Sequence, residues 1–239
     1  MANNPEKTLK RSDKPVKQKS IAREYIEAII FALIIALLIR SFIVQAFKIP
    51  SGSMKNTLLI GDHILVSKFA YGIHIPNEIP FTNIKLFPDI RLLPKNPNRG
   101  DVIVFKFPKD ESRDFIKRVV GVPGDKIQLK RQKLYVNDKL ADEPYIIHGD
   151  PASPGSDPIS PRDDLGPILV PPGHLFMMGD NRENSQDSRF WGFLDINKVK
   201  GRAFVIYWSW DRETSWFRIE RLGLGLQDDT PIAAIKAGG

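Results

Sequence analysis

The sequence has no cysteine among its 239 residues, so neither a disulfide framework nor a thiolate metal site is available to it. Histidine is also scarce, because only four are present and none stands in a recognised catalytic-triad pattern. No HExxH motif, glycine-rich phosphate loop or G-x-S-x-G nucleophile elbow occurs. These absences remove support for a metalloprotease, a P-loop enzyme or an α/β-hydrolase. A histidine-based triad is not excluded by spacing alone, but nothing favours it.

Positive charge is concentrated at the N-terminus. The chain has a formal net charge of +7. Residues 1–24 contain seven lysines and arginines but three acids, so they carry four of the seven net charges and leave the rest nearly balanced. A basic tail directly before an apolar run is typical of contact with an anionic membrane surface rather than DNA. We therefore predict a cytoplasmic tail over residues 1–24, a lipid bilayer as partner and no nucleic-acid partner.

An apolar segment follows this tail. Ala28–Ile39 contains no polar residue, and residues 28–47 stay mostly apolar over about the length that crosses a bilayer as a helix. A cleavable signal peptide would fit the shorter run, but no small-x-small site follows within the next few residues. A buried core helix is a second alternative, although the run is apolar on all faces. We predict a single transmembrane anchor over residues 25–47, with the remaining chain outside the cytoplasm.

The remaining residues, 48–239, have the pattern of short strands separated by turns. Runs such as Asp101–Phe107 and Ala203–Trp208 alternate or are rich in β-branched residues, and Gly-Asp and Pro-Gly turns separate such runs. No long amphipathic helical pattern appears after the anchor. This pattern favours a mainly β, antiparallel, barrel-like catalytic body. Residues 138–173, dense in proline, glycine, serine and aspartate from residue 148, are predicted to form an irregular insertion.

A serine and a lysine are the candidates for nucleophilic chemistry. Ser53 follows the anchor within the sequence PSGSM, and a serine needs a base to become a good nucleophile. A lysine can be that base when burial removes its charge, since desolvation disfavours the ammonium form. Lys117 shares one face of a predicted strand with Phe115 and Val119. Most strand lysines are simply solvated, so this pattern alone does not establish a base.

Four sequence boxes follow the apolar run in order. They include IPSGSMKNTL (49–58), GDHILVSKFAYG (61–72), RGDVIVFKFP and DFIKRVVGVPGD (99–125), and MGDNRENSQDSRFWGFL (178–194). Each piece is weak alone, but the ordered set resembles the bacterial type I signal peptidases, also called leader peptidases. The resemblance implies a membrane-bound serine endopeptidase that removes signal peptides from exported preproteins by cutting after small residues.

The resemblance also assigns roles to individual residues. Ser53 matches the nucleophile and Lys117 the general base. Ser51 matches the side chain that forms the oxyanion hole together with the backbone N–H of Ser53. Ser185 matches the serine that orients the lysine amine. The ion pair that supports this loop is matched by Asp187 and Arg189.

The family's substrate lies extended against the strand before the serine and the strand that carries the lysine, as an added β-strand. Small apolar pockets would then admit alanine-sized side chains and explain small-x-small specificity. A core role is an equal alternative for each of the lining residues. The residues that the resemblance places at these pockets are Phe47, Ile49, Pro50, Met54 and Ile116.

One position departs from the family pattern. The serine box usually has proline before its threonine, whereas this chain has Asn56 before Thr57. Because proline stiffens the turn, the substitution bears on local rigidity more than on chemistry.

The implied reaction is acyl transfer by a monomer that needs neither a metal nor a cofactor. Two alternatives stay open. The first is a related Ser/Lys protease with another target, such as a self-cleaving regulator. The second is a non-catalytic, membrane-tethered β scaffold that binds exported chains.

Overall fold

A computed structural model describes residues 21–75, 90–147, 164–211 and 214–226. The chain divides into two compact units, Met1–Leu38 and Ile39–Gly239. The predicted cytoplasmic tail lies outside the described residues except for positions 21–24.

Helix α1 (Ile21–Phe42) contains the apolar run. The run has no glycine or proline to interrupt a helix, and Glu24 in the first turn and Arg40 in the last complement the helix dipole. Its large apolar side chains are exposed, for example Ile29 at 65% and Leu33 at 59%. Within the described ranges, no helix combines the length and the apolar character needed to cross a membrane.

The helix ends earlier than the predicted anchor. Residues 44–48, which the prediction placed mainly in the anchor, form a β-strand that pairs with Asp62–Ser67. The sequence VQAFK includes β-branched Val44 and aromatic Phe47, residue types that are favoured in strands. The boundary at residue 47 was therefore wrong.

The rest of the described chain is mainly antiparallel β-structure, as predicted, because every pairing between its strands is antiparallel. The strands are β1 (Val44–Lys48), β2 (Asp62–Ser67), β3 (Ile73–Ile75), β4 (Ile90–Leu92), β5 (Val102–Phe107), β6 (Asp110–Gly121), β7 (Lys126–Lys130), β8 (Lys133–Val136), β9 (Lys139–Leu140), β10 (Leu165–Leu169), β11 (His174–Met178), β12 (Leu194–Asp195), β13 (Val199–Asp211) and β14 (Trp216–Phe217).

These strands form three sheets. The main sheet has eight strands in the order β1-β2-β13-β5-β6-β11-β12, with β14 paired to β13. The second sheet has the order β10-β7-β8-β9, and β3 pairs with β4 as a separate ribbon. Among the described strands the main sheet begins at β1 and ends at β12, so its pairing is open rather than a closed barrel.

One part of the hydrophobic core fixes the segment that follows β1. Met54 and Leu58 from this segment are fully buried and cluster with Ile64 of β2 and Ile116 of β6. Burying a side chain of this size contributes about 1.5–3 kcal/mol. The loop that carries Ser53 is therefore held in the core by two of its own residues.

The predicted irregular insertion is regular at both ends. Its first residues form β9 and its last residues form β10, which are the outer strands of the second sheet. Their strand signals are weak, because β9 has only two residues and β10 contains Pro167. Residues 148–163, the proline- and serine-rich part, lie outside the described residues.

Candidate active site

Ser53 lies in the loop between β1 and β2, residues 49–61, which we call the serine loop. Leu58 N donates a hydrogen bond of 2.7 Å to Met54 O, so a helical turn directly follows the serine. Ser53 itself is 9% exposed, whereas Met54 and Leu58 have no exposed surface. The serine loop therefore places the Ser53 hydroxyl near the surface, and the buried side chains of Met54 and Leu58 support it from below.

The amine of Lys117 approaches this hydroxyl from β6. Lys117 Nζ lies 2.7 Å from Ser53 Oγ and donates a second hydrogen bond of 2.9 Å to the carbonyl oxygen of Ile116. The ring of Phe115 lies 5.4 Å from Nζ, and Lys117 is only 4% exposed. The two candidate residues are within hydrogen-bonding reach although 64 positions separate them.

Burial sets the protonation of this amine. Loss of hydration lowers the pKa of Lys117 to about 8, although the negative charges of Asp187 and Asp180 act in the opposite direction. A substantial fraction of the amine is therefore neutral near pH 8, and a neutral amine 2.7 Å from a hydroxyl can accept its proton. The arrangement has the geometry and the electrostatics of a nucleophile with its base.

The next residue of β6 points away from the amine and is buried with an opposite charge. Arg118 donates from Nε to Asp180 Oδ1 at 2.9 Å and from Nη2 to Asp180 Oδ2 at 2.7 Å. Thr57 Oγ1 donates to the same carboxylate at 2.5 Å. Arg118 therefore faces a partner charge rather than solvent. This forked pair ties the lysine strand, the serine loop and the segment after β11 together.

The segment after β11 touches the serine loop directly. Asn181 N donates to Ser53 O at 3.1 Å, and Asn181 Nδ2 donates to Gly52 O at 3.1 Å. Gly179 packs against the carbonyl oxygen of Ser53 so closely that only a glycine fits. The backbone on both sides of Ser53 is therefore held by residues 179–181.

Asp187 and Arg189 form the predicted ion pair. Arg189 donates from Nε to Asp187 Oδ1 and from Nη2 to Asp187 Oδ2, both at 2.8 Å, and both side chains are buried. Burial alone would raise the pKa of Asp187, but the hydrogen bonds and charge of Arg189 outweigh it and the pKa lies below its usual value. Asp187 also accepts from Gly179 N at 3.1 Å, so this pair supports the segment that contacts Ser53.

The two further serines are placed differently. Ser185 is buried against Gly179, but its hydroxyl makes no hydrogen bond to the amine of Lys117. Ser51 is exposed, two positions before Ser53. The orienting role of Ser185 and the oxyanion role of Ser51 stay predictions.

Most of the predicted pocket residues meet in one apolar cluster. Ile49, Met54 and Ile116 are buried in it, and Phe47 packs against it. Pro50 is exposed and stands apart from the cluster. Because Met54 has no exposed surface, a pocket that it lines would require a shift of its neighbours.

Sequence reasoning missed several residues that hold the site. Asn181, Asp180 and Gly179 belong to the quoted MGDNR sequence, so a polar box with a glycine was a usable signal. Asn56 donates to the carbonyl oxygen of Tyr145 at 3.0 Å, and no pattern in the sequence near Tyr145 predicts this contact. Within the described ranges, no group of three or more His, Asp or Glu side chains is placed to hold a metal ion.

Comparison with known proteins gives a consistent result. The family profile described as "Signal peptidase, peptidase S26" matches residues 22–208. Signal peptidase I of Pseudomonas aeruginosa is 38% identical over 218 residues, which cover 78% of this chain and 72% of that protein. Probable signal peptidase I-2 of Synechocystis sp. is 33% identical over 235 residues, which cover 96% of this chain and 87% of that protein. The residues that the family profile matches include Ser53 and Lys117.

Proposed function

The chain belongs to the peptidase S26 family of signal peptidases, and we propose on this premise that it is a serine endopeptidase with Ser53 as nucleophile and Lys117 as general base. Its substrates are exported preproteins, from which it removes the N-terminal signal peptide. The observation that carries the proposal is a buried amine, with its pKa lowered to about 8, at 2.7 Å from the serine hydroxyl.

The reaction begins with acylation. Neutral Lys117 takes the proton of Ser53 Oγ as this oxygen attacks the scissile carbonyl carbon. The resulting oxyanion is stabilised by the backbone N–H of Ser53 and the Ser51 side chain, each of which supplies a few kcal/mol in such sites. The Lys117 ammonium then gives the proton to the leaving amine, which departs as the new N-terminus of the mature protein.

Deacylation regenerates the enzyme. Lys117, again neutral, takes a proton from water, and the hydroxide attacks the acyl-enzyme ester carbon. The ester bond to Ser53 breaks, Ser53 Oγ recovers its proton from Lys117, and the signal peptide leaves with a free carboxylate. No metal or cofactor takes part in either half of the reaction.

The strand layout supports binding of an extended peptide. β1, which leads into the serine loop, is an edge strand of the main sheet. On β6, pairing with β11 begins at Arg118, so the stretch before it, which contains Ile116 and Lys117, has no partner on that side among the described strands. A peptide strand added here would bring its scissile bond next to Ser53 Oγ and Lys117 Nζ. The apolar cluster around Ile49 and Ile116 would accept its small side chains.

We propose that α1 attaches the catalytic unit to a membrane, with the N-terminus on the cytoplasmic side. The support is the run of twelve apolar residues Ala28–Ile39, whose large side chains are exposed, and the basic tail before it. Cell fractionation tests this proposal, since the chain should stay in the membrane fraction after washing at high salt and high pH. Release of the intact chain by these washes would contradict it.

A cleavage assay tests the reaction itself. The detergent-solubilised chain is incubated with a preprotein, and mass spectrometry identifies the new termini. We expect one cut after a small-x-small sequence, with loss of at least 1,000-fold in kcat for Ser53→Ala and for Lys117→Met, in the range seen for removal of a catalytic group. Lys109→Met, which changes an exposed lysine in the turn before β6, is the matched control and should retain full activity.

The same assay distinguishes the alternatives. Cleavage that survives Ser53→Ala would overturn the Ser/Lys mechanism. Cutting only within its own chain would identify a self-cleaving regulator, and no reaction with a mechanism-based acylating inhibitor would identify a binding scaffold.

A further inference from the structure

A short segment far from Ser53 and Lys117 in sequence contacts both elements that carry them. This segment, residues 143–147, follows β9 of the four-stranded sheet in the chain and carries no motif. We call it the clamp segment. Its contacts reach the serine loop, the lysine strand and residues 179–182.

The contact to the serine loop runs through Asn56. Asn56 Nδ2 donates to the carbonyl oxygen of Tyr145 at 3.0 Å across 89 positions of sequence. The backbone of Asn56 has φ of +87°, a conformation that asparagine tolerates better than most residues and that proline cannot adopt. Asn56 therefore combines a left-handed turn three residues after Ser53 with a fixed attachment outside the loop.

The contact to the lysine strand runs through the ring of Tyr145. The guanidinium carbon of Arg118 lies 3.8 Å from the centroid of this ring, close enough for a strong cation–π contact. Arg118 directly follows Lys117, and its guanidinium group also donates a hydrogen bond to Asp180. The ring of Tyr145 thus covers Arg118, the residue next to Lys117. The backbone carbonyl of Tyr145 holds the serine loop through Asn56.

The clamp segment is itself anchored by buried polar contacts. Arg182 donates to the Glu143 carboxylate from Nη1 at 2.8 Å and from Nη2 at 2.5 Å. Both side chains are about 95% buried. Tyr145 donates from its hydroxyl to Glu143 Oε1 at 3.0 Å. Ile147 N donates to Asp180 O at 3.1 Å. The segment is therefore a fixed support rather than a loose loop.

We propose that Asn56 and Tyr145 are positioning residues that together hold Ser53 Oγ within hydrogen-bonding distance of Lys117 Nζ. The inference rests on the proposed function. The two catalytic groups belong to separate elements, and a displacement of about 1 Å between such groups can cost about 100-fold in rate. The clamp segment is attached once to each element, so it fixes their separation without touching the reacting atoms.

Substitutions at Asn56 separate the backbone from the hydrogen bond. Asn56→Gly accepts the positive φ but removes the amide, and we expect kcat to fall about 10-fold with KM within twofold. Asn56→Asp keeps the size but presents an oxygen to the Tyr145 carbonyl, so its kcat should be lower than that of the glycine variant. Asn56→Pro loses the bond and the conformation together and should lose the most activity.

Substitutions at Tyr145 separate the ring from its hydroxyl. Tyr145→Phe keeps the ring over Arg118 and the backbone carbonyl, so it is the conservative variant and should have kcat within twofold of the wild type. Tyr145→Leu removes the ring, and we expect about a 10-fold lower kcat. The double variant Asn56→Gly, Tyr145→Leu should be less impaired than the product of the two single effects, because losing either attachment already breaks the link between the serine loop and the lysine strand.

The deciding measurement is kcat per active site, with active sites counted by titration with an acylating inhibitor and folding monitored by Tm. A merely structural role would lower Tm and the number of active sites but leave kcat per active site unchanged. Unchanged kcat per active site in Asn56→Gly and Tyr145→Leu, while Ser53→Ala remains inactive, would overturn the clamp alone. Activity retained by Ser53→Ala would overturn the proposed function and this inference with it.

Discussion

Gly179 lies so close to Ser53 that a Cβ atom built on it would be 2.5 Å from the Ser53 carbonyl oxygen. The same Cβ would also overlap the Ser185 side chain. Because the obstacle at Ser53 is backbone rather than a flexible side chain, an added carbon would force the backbones of residues 179 and 53 apart. The glycine is therefore a steric condition for the position of Ser53.

Gly179→Ala is predicted to lower kcat by about 10-fold or more, since a shift of the backbone at Ser53 would disturb its 2.7 Å contact with Lys117. Gly201→Ala is the matched control, because a Cβ there would overlap the Ser67 carbonyl in the sheet instead. We expect the control to lower Tm but to keep kcat per active site. Equal kcat for Gly179→Ala and the wild type would contradict the prediction.

The rate should depend on pH through Lys117. Since the base must be neutral and burial lowers its pKa to about 8, kcat/KM should fall about 10-fold per pH unit below pH 8 and level off above it. A pH profile between 6 and 9.5 measures this limb. A rate that stays constant across this range, or a limb centred near 6.5 as for a histidine, would contradict the assignment.

Lys117→Arg provides the control for that profile. An arginine remains protonated over the whole range, so this variant cannot serve as a base at any pH. We expect its activity to be lost at pH 9 as completely as at pH 6. Recovery of activity at high pH in this variant would point to a different titrating group.

Burial of the same lysine should also make stability depend on pH. Its pKa of about 8 in the folded state lies below the solvated value of 10.5, so the unfolded state binds more protons between these pH values. The cost of burial is therefore full below pH 8, on the order of 3 kcal/mol, and disappears as pH rises through 10.5. Lys117→Met should be more stable than the wild type at pH 7, with the gap closing toward pH 10.5, as measured by Tm. A gap independent of pH would contradict this linkage.

Local sequence signals predicted most of the main sheet but misplaced the ends of several strands. The predicted strand that carries Phe115, Lys117 and Val119 lies inside β6, which already begins at Asp110. Residues 110–114 are polar and exposed, so no apolar alternation marks them, yet Asp110 and Asp114 pair with β5. The helix end at Phe42 was missed for the related reason that Val44 and Phe47 are apolar and continue the composition of the anchor.

At the candidate site, local patterns succeeded where a residue's own neighbours determine its surroundings. Phe115 and Val119 flank Lys117 on one strand, so its burial could be inferred before its contacts were known. The contact between Asn56 and Tyr145 could not, because 89 positions separate the residues and neither belongs to a periodic or charged pattern. Such contacts depend on how the serine loop and the clamp segment meet in three dimensions.

The C-terminal part of the body should contribute strongly to the stability of the serine loop through Arg221. Its guanidinium donates from Nε to Asp62 Oδ1 at 3.0 Å and from Nη2 to Asp62 Oδ2 at 2.6 Å, and Nη2 also donates to Thr57 O at 3.0 Å. Ser209 Oγ donates to Asp62 Oδ1 at 2.6 Å. Arg221 and Asp62 are both almost fully buried, so neither charge can be hydrated when its partner is removed.

Arg221→Met is therefore predicted to lower the free energy of unfolding by about 3–5 kcal/mol, the cost of leaving a buried carboxylate without its partner. Urea unfolding measures this loss. Asp138→Asn, which breaks the exposed pair with Lys126, is the matched control and should cost less than about 1 kcal/mol. Adding Asp62→Asn to Arg221→Met should recover part of the loss, because it removes the stranded charge. A loss for Arg221→Met no larger than that of the control would show that the C-terminal residues do not support the loop.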